Sequence, residues 1–406
     1  MALYLKTLKV YLQILPYRIL FVHLSQNKFG MSSKRLYILI FFILFFSHSY
    51  SQQIKIGNYT FSAGGEYQGE MFKGKPYGKG TTTFPNGDIH TGNYVKGKRE
   101  GHGVYQFADG EKYDGEWYQD QQHGIGTYYF SNNNRYEGLW FRDFQQGEGP
   151  MYYYNGDVYT GDWVQDKREG KGVYTYSNGA TYNGQWKADM KDGYGVFDWN
   201  DGNKYDGNWK ENKKNGRGTF TYASGDTYTG EWQNDKQHGK GIYTFADGSK
   251  YEGQYSHGER TGEGIFIFPN GDKYVGHFLN GEQTGYGTFT WNSGATYVGN
   301  WKANKPHGAG KYTWANGDIY DGNWANGLMD GNGILRQADG VKFKGKFQKG
   351  MKEGYGIQED ADGIRSEGEY HMDKRNGEFI EKDKNGTIIK RVTYLNDIPK
   401  ITSEEN

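Results

Sequence analysis

The chain contains no cysteine, which excludes disulfides, a thiol nucleophile and a cysteine-linked lipid anchor. It also lacks a net charge. Of its 48 bases, six fall in residues 1–51 together with none of the 48 acids, leaving 42 bases against 48 acids, or −6, in the remainder. That balance argues against a general nucleic-acid binder or a binder of anionic membranes. No phosphate loop of the Gly-Lys-Ser or Gly-Lys-Thr kind is present. The longest apolar run, Leu36 to Phe46, is eleven residues, too short to span a bilayer comfortably.

What is abundant is glycine, and its placement is periodic. From Tyr67 the chain repeats every 23 residues, without insertion or deletion, to the neighbourhood of Ile388. Glycine stands two residues after each of fourteen repeat starts, including Gly69, Gly115 and Gly161. A second glycine follows nine residues later, from Gly78 and Gly101 to Gly377, and a third two residues beyond it, failing only at Phe379. A fixed period of this length specifies a stack in which each unit contacts its neighbours.

The aromatic residues keep the same period. Trp117, Trp140, Trp163, Trp186, Trp209, Trp232, Trp301 and Trp324 share one phase, and Trp199, Trp291 and Trp314 another; together they are all eleven tryptophans. Each unit reads Tyr-x-Gly-x-Trp, a polar loop, then Gly-x-Gly-x-Tyr-x-Phe-x-Asn-Gly. Alternation at period two predicts half-exposed strands, so each unit is expected to be a two-stranded hairpin. Turns such as Phe84-Pro85-Asn86-Gly87 fit a type I turn followed by a glycine bulge. Within each hairpin the loop carries only Gly, Asp or Asn at one position (Gly74, Gly97, Asp120, Asp143 and onward), the residues least penalised at positive φ.

Strand glycines are costly, and here they share parity with the aromatic residues. Bare backbone at those positions lets a neighbouring ring lie across it, and the rings are then core. At about 4.8 Å per strand, twenty-eight strands give a rod roughly 130 Å long. The fold expected is all-β: an elongated array of about fourteen 23-residue β-hairpins forming one twisted antiparallel sheet.

These units resemble the MORN (membrane occupation and recognition nexus) repeat in their Tyr-x-Gly-x-Trp, Gly-x-Gly-x-Tyr and Asn-Gly elements, over about four-fifths of the chain. Departures are His90, Phe343 and Ser366 for the leading tyrosine, Met71 for the first-strand aromatic, and Gln337, Gln358, Asp360 and Asp383 for aromatics of the last second strands. Degenerate ends are usual in repeat arrays. Some proteins with such repeats are enzymes, but the resemblance implies that the chemistry then lies in a separate domain.

The expected organisation is residues 1–30, 31–51, 52–66, 67–388 and 389–406. Met31-Ser32-Ser33-Lys34-Arg35, the apolar run and Ser47 to Gln52 describe a secretory signal cut after Ser51. A complete signal at Met31 favours a misassigned start for residues 1–30; an amphipathic leader over Leu3 to Leu24 is the alternative. Residues 52–66 contain Gly57-Asn58-Tyr59-Thr60-Phe61, the second half of a repeat serving as a cap, and residues 67–388 are the array. Residues 389–406 form a terminal cap and tail, where Lys374, Glu378, Glu381, Lys384, Lys390 and Arg391 are expected to blunt the sheet edge. Flanks this short leave no room for a catalytic domain, so a non-enzymatic protein without cofactor is expected.

Candidate binding residues are few. Bases gather in the loop between strands, at Lys75, Lys98, Arg99, Lys167, Arg168, Lys213, Lys214, Lys236 and Lys305, while Asp88, Glu111, Asp157, Asp226, Asp272 and Asp318 gather at the opposite turn. A ribbon with one basic and one acidic edge could pair with a second copy as a homodimer or lie on an anionic lipid surface; solvated loops are the plainer account. Gly-x-Gly at strand phase is architecture. His123, His238 and His307 share a loop phase but lie three to five repeats apart, at roughly 10 Å per repeat, too far to bind one metal ion. Leu328, Met329 and Met351 are apolar where other units carry bases. The function expected is a secreted or periplasmic scaffold for an unidentified protein partner. Membrane-surface association through the basic edge is the alternative, and glycan binding on exposed rings a third.

Overall fold

The computed structural model describes residues 54–400. The extension 1–30, the signal segment 31–51 with its cleavage point, the first residues of the cap and residues 401–406 lie outside the described residues. Thirty-one strands form one sheet, and no helix occurs among the described residues. β1 (Lys55–Thr60) pairs with β2 (Glu66–Phe72), β2 with β3 (Lys75–Thr83), and β3 with β4 (Ile89–Val95), all antiparallel. The same neighbour-to-neighbour meander runs to β29 (Lys374–Lys382), β30 (Ile388–Leu395) and β31 (Ile398–Pro399). Each 23-residue unit thus supplies a seven-residue and a nine-residue strand, as β2 and β3 show.

The two kinds of connection differ. Between units, Gly87 N–H donates to Phe84 O (3.0 Å) and Phe84 N–H to Asp88 O (2.9 Å), with Gly87 at φ 92°, the expected type I turn with a glycine bulge. In one unit Asn133, at φ 65°, replaces the glycine. Within units the loop has two residues and both are left-handed, as in Lys73 (φ 49°) and Gly74 (φ 75°). This is a type I′ turn, whose twist matches that of the flanking strands. The sequence marks only its second position; the first accepts Lys, Gln, Arg, Glu, Asn and even Ala188 (φ 47°), because short two-residue connections leave the backbone no other route.

The glycines make a one-sided bulge. Gly69 faces Gly80 and Met71 faces Pro76, so the nine-residue strand loops outward opposite Glu70, with Gly78 at φ 74°. On its other side the same strand keeps unbroken register, Gly78 with Tyr94 and Gly80 with Gly92. A bulge on one side only bends the strand and strengthens the local twist.

The core follows from that bend. The ring of Tyr67 lies over the Gly69–Gly80 pair so closely that a Cβ on Gly80 would stand 2.2 Å from it. Its hydroxyl donates to the Glu70 carbonyl at the bulge, 2.7 Å away. Trp117 meets Tyr113 edge to face (5.2 Å, 89°), while Trp140 of the next unit covers the other side of Tyr113 at 5.3 Å. The Trp117 indole N–H donates to Gly103 O at 3.1 Å, and the other seven tryptophans of that phase bond the equivalent carbonyl, as Trp186 does with Gly172. Each edge-to-face pair adds about 0.5–1.5 kcal/mol beyond burial. Leading tyrosines from Tyr113 to Tyr320 are fully buried, so the rings are core, although the sheet has no second layer.

At the start, β1 adds to β2 with Gly57 opposite Gly69 and Tyr59 opposite Tyr67, as a second half-repeat would. At the far end the charged residues divide. Lys374, Glu378 and Glu381 belong to β29, which is paired on both sides, and Lys390 and Arg391 to β30, covered only by two-residue β31.

Candidate functional site

The bases proposed from sequence separate into two sets. Lys75, Lys98, Lys167, Lys213, Lys236 and Lys305 are each the first residue of a nine-residue strand, and all are exposed. Arg99, Arg168 and Lys214 come one residue later, so strand alternation turns them to the aromatic face. There Arg99 caps Trp117 (4.1 Å to the ring centroid), Arg168 caps Trp186 (4.3 Å) and Lys214 caps Trp232 (4.5 Å). Such contacts between a cation and an aromatic face are attractive by about 0.5–2 kcal/mol. Gly115, Gly161 and the eight tryptophans lie beneath, in the core; Gly69 is half-buried under Tyr67, and Gly78 stands in the bulge, where a Cβ would meet the Glu70 side chain.

The same edge carries acids. Asp120 accepts the Arg99 backbone N–H (2.9 Å) and pairs with its side chain (3.5 Å); Asp189 does both for Arg168, and Asp397 for Arg375. These carboxylates belong to the turn of the following unit, so they tie consecutive hairpins. The type I′ edge is therefore a mixed row of lysines and aspartates.

The opposite turns are tied in the same manner. Asp157 accepts the Tyr174 hydroxyl (2.7 Å) and the Ser177 N–H (2.8 Å), both from the next unit. Asp88 and Asp226 make equivalent bonds to Tyr105 and Ala108 and to Tyr243 and Ala246. Burial would raise the Asp88 and Asp157 carboxyls, but these hydrogen bonds outweigh it and hold both below the ordinary carboxylate range. Acids that the sequence places on an edge are thus fasteners between repeats.

The two faces of the sheet differ. The aromatic face holds cavities along the array: one of about 640 Å³ over Gln122, Trp140, Asp143, Gln145 and Asp166, one of about 400 Å³ over Lys191, Trp199, Trp209 and Lys214, and one of about 420 Å³ over Arg260, Phe278 and Trp301. The outer face has a trough of about 910 Å³ floored by Gly207, Gly218, Gly230 and Gly241. In the first five units it also carries an apolar row at the end of the seven-residue strand: Phe72, Val95, Tyr118, Phe141 and Val164. Later units put Lys187, Lys210 and Gln233 there. Ile125 (66 % exposed) and Leu139 (39 %) widen the row, and His123 sits between Tyr118 (5.5 Å) and Phe141 (5.3 Å).

Sequence reading missed this row because it searched for charge. The signal was available at one repeat phase, where five consecutive apolar residues end at Val164 and the next four units carry Lys187, Lys210, Gln233 and Ser256, with Leu279 an isolated return. Of the apolar residues it did single out, Leu328 is exposed, whereas Met329 packs partly buried against the core and Met351 is half-buried. His238 faces His257, with ring centroids 6.1 Å apart. No group of three His, Cys, Asp or Glu side chains suited to a metal ion occurs among the described residues.

A family model described as MORN repeat matches thirteen consecutive segments, from residues 67–89 and 90–112 without a gap to 343–365. No curated protein matches the chain. Among solved structures, the TCP domain of SAS-4 from Drosophila melanogaster, in complex with a proline-rich motif of Ana2, is 17% identical with a TM-score of 0.26, over 38% of this chain and 85% of that one. The TCP10 domain of Danio rerio CPAP, in complex with a STIL peptide, is 11% identical with a TM-score of 0.15, over 84% and 100%. A streptogramin B lyase is 10% identical with a TM-score of 0.13, over 72% and 95%.

Proposed function

The chain belongs to the MORN repeat family, and from that premise we propose that it is a non-enzymatic scaffold that holds a protein partner on the outer face of its sheet. The apolar row of the first five units carries this reading. Tyr118, Ile125, Leu139, Phe141, Phe144 and Val164 are between 39 % and 66 % exposed, and they adjoin one another across β-ladder pairs such as Ile125–Leu139 and Phe141–Phe144. Contiguous exposed apolar side chains bounded by polar ones mark interaction sites. The signal pattern of Met31 to Ser51 adds a secreted or periplasmic location to the proposal.

Association with an anionic lipid surface is the second reading, favoured by the six exposed lysines along one edge. Against it stand the aspartates of the same edge, the three bases folded onto rings, and the net −6 of residues 52–406. Glycan binding on exposed rings has less support, since the tryptophans of the main phase are buried.

Two measurements separate these readings. A photo-crosslinker at position 125 or 141 should capture a discrete polypeptide in native cell-envelope material, and one at position 305 should not; equal capture at all three, or none, would overturn the scaffold. Flotation of the purified protein with anionic but not neutral vesicles, lost when the six lysines are neutralised, would replace it with the lipid reading.

A further inference from the structure

The ties along the type I′ edge form a ladder on the aromatic face, with one rung per repeat. Each rung joins the second residue of a nine-residue strand to the turn residue 21 or 22 positions later. In the Arg99–Asp120, Arg168–Asp189 and Arg375–Asp397 rungs a base meets an acid, at 3.5, 3.1 and 3.1 Å. Lys214 has Asp235 at its rung, whose Oδ1 accepts the Lys214 backbone N–H.

Not every rung is matched in this way: Arg260 faces Gly281, which has no side chain, and one rung in the middle of the run sets a base against an uncharged side chain. Lys191 faces Asn212, whose side-chain oxygen accepts the Lys191 backbone N–H at 2.8 Å but brings no charge. Among the described residues the Lys191 ammonium makes no ion pair. It is held 4.6 Å from the ring centroids of both Phe197 and Trp209, and 5.5 Å from that of Tyr182. It lines the cavity of about 400 Å³, where Lys214 supplies a second ammonium, Asp235 one carboxylate, and Trp199 and Tyr176 an aromatic wall. The nearest charges act in opposite senses: Asp235 favours the ammonium, and Arg168 disfavours it. Burial, the largest influence, brings Lys191 down to about 8.

The cavity lies in a row with its neighbours. Three and two repeats earlier the mismatch is reversed, with Asp143 and Asp166 facing Gln122 and Gln145 around the cavity of about 640 Å³. At roughly 10 Å per repeat, the aromatic face therefore presents two rungs with an acid but no base and, 20–30 Å further on, one with a base but no acid. A partner lying along this face in extended conformation is complemented by a base over the first cavity and an acid over the second.

We infer that the Lys191 cavity is a carboxylate-binding site, occupied by an acidic side chain of a partner polypeptide that runs along the aromatic face. This deepens the scaffold reading and rests on it, but uses the face opposite the apolar row. The carboxylate takes the place that Asp fills in the Arg99, Arg168 and Arg375 rungs, beside the Lys191 ammonium in the cavity that Lys214 and Asp235 also line, and its aliphatic stem lies against Trp199. A charge-assisted contact in such a partly dry setting is stronger than one on open surface.

The test uses the full chain, hexaglutamate as probe, hexaglutamine as neutral control and glutarate as the free carboxylate, followed by calorimetry at low salt. Hexaglutamate should bind and hexaglutamine should not. Lys191→Met and Asn212→Asp should each weaken hexaglutamate by about tenfold or more, one by removing the ammonium and the other by supplying an internal acid. Both variants use residues the ladder already accepts at equivalent positions, Met329 and Asp189. Lys305→Met, on the exposed edge, should change nothing. Wild-type binding absent, or Asn212→Asp binding like wild type, overturns the site. Glutarate binding as tightly as hexaglutamate overturns the polypeptide occupant. Because none of these outcomes involves the apolar row, failure here leaves the crosslinking result at positions 125 and 141 to stand or fall separately.

Discussion

Tyr174 donates its hydroxyl hydrogen to Asp157 across 2.7 Å, and the other oxygen of that carboxylate accepts the N–H of Ser177 at 2.8 Å. Asp157 closes one repeat, while Tyr174 and Ser177 belong to the next. A single carboxylate, only 7 % exposed, therefore fastens two hairpins. In a linear array each unit has only two neighbours, so interface bonds of this kind set how far unfolding spreads.

Replacing Asp157 with alanine leaves the Tyr174 hydroxyl and the Ser177 N–H without their acceptor. The expected loss at this interface is about 1–3 kcal/mol, seen as faster hydrogen exchange of the Ser177 amide and its strand neighbours. The bond also has a pH signature. Because the native carboxyl of Asp157 titrates below its unfolded value of about 3.9, its contribution is complete above that pH and is lost as pH falls through the native value. Exchange at Ser177 that is unchanged by the substitution, or that rises equally on acidification in wild type and variant, would refute this role.

Gly126 and Gly110 separate two uses of glycine. A Cβ at Gly126 would lie 2.4 Å from the Tyr113 hydroxyl oxygen and 2.6 Å from the ring, whereas at Gly110, with φ 94°, it would meet nothing within 4 Å. Gly126→Ala must displace a fully buried ring, an overpacking cost of about 1–3 kcal/mol. Gly110→Asn needs only a left-handed backbone, which Asn133 already adopts at this turn position. Urea unfolding of the two variants should rank Gly126→Ala well below Gly110→Asn; the reverse order would mean that turn conformation outweighs ring packing.

His90 breaks the tyrosine column. Its Nδ1 bonds the Tyr94 hydroxyl at 2.8 Å, but Nε2 is buried without a partner, where tyrosines of other units reach a carbonyl. Burial, assisted by the Arg99 charge, pushes His90 down to about 3 from 6.5. The unfolded chain therefore takes up a proton below pH 6.5 that the folded chain refuses until about pH 3, and stability at this end of the array falls as pH drops through that window. His90→Tyr should raise stability by about 1–3 kcal/mol at neutral pH by supplying the missing bond, and should remove the slope between pH 6.5 and 3. Tyr251 with Tyr255 shows that two tyrosines fit at these phases. Thermal melts at pH 7 and pH 4.5 that give wild type and variant the same pH dependence would exclude His90 as its source.

Much of this architecture is written at fixed phases of the sequence. The glycine and tryptophan positions specify hairpins, buried rings and glycine-bulge turns because each requirement is local and recurs every 23 residues. The left-handed residue at Lys73 or Ala188 was not legible, since a two-residue turn imposes φ on whatever side chain happens to stand there. Charge was misleading for a different reason. Asp157 and Arg99 look like surface residues in any one unit, and only the neighbouring unit, bringing Tyr174 to the first and Trp117 to the second, turns them inward. The apolar row and the Lys191–Asn212 mismatch are deviations from the repeat, so reading for the consensus hides them.

The outer-face row gives the sharpest contrast between fold and function. Ile125, Leu139 and Phe141 project from the face opposite Trp140, and none enters the buried core. Substituting them with the polar residues that other units carry, Ile125→Lys, Leu139→Asn and Phe141→Lys, follows Lys171, Asn208 and Lys187 at equivalent phases. The triple variant should unfold within about 0.5 kcal/mol per site of wild type, as surface substitutions do. If the row is the docking surface, the same variant should lose most of the polypeptide crosslinked from position 144, because removing central apolar contacts costs far more binding than rim contacts do. A variant that keeps both its melting behaviour and its crosslinked partner would move the interface off this row. One that loses both would show instead that the exposed side chains stabilise the sheet, with Tyr118, His123 and Phe141 acting as an outer extension of the aromatic core.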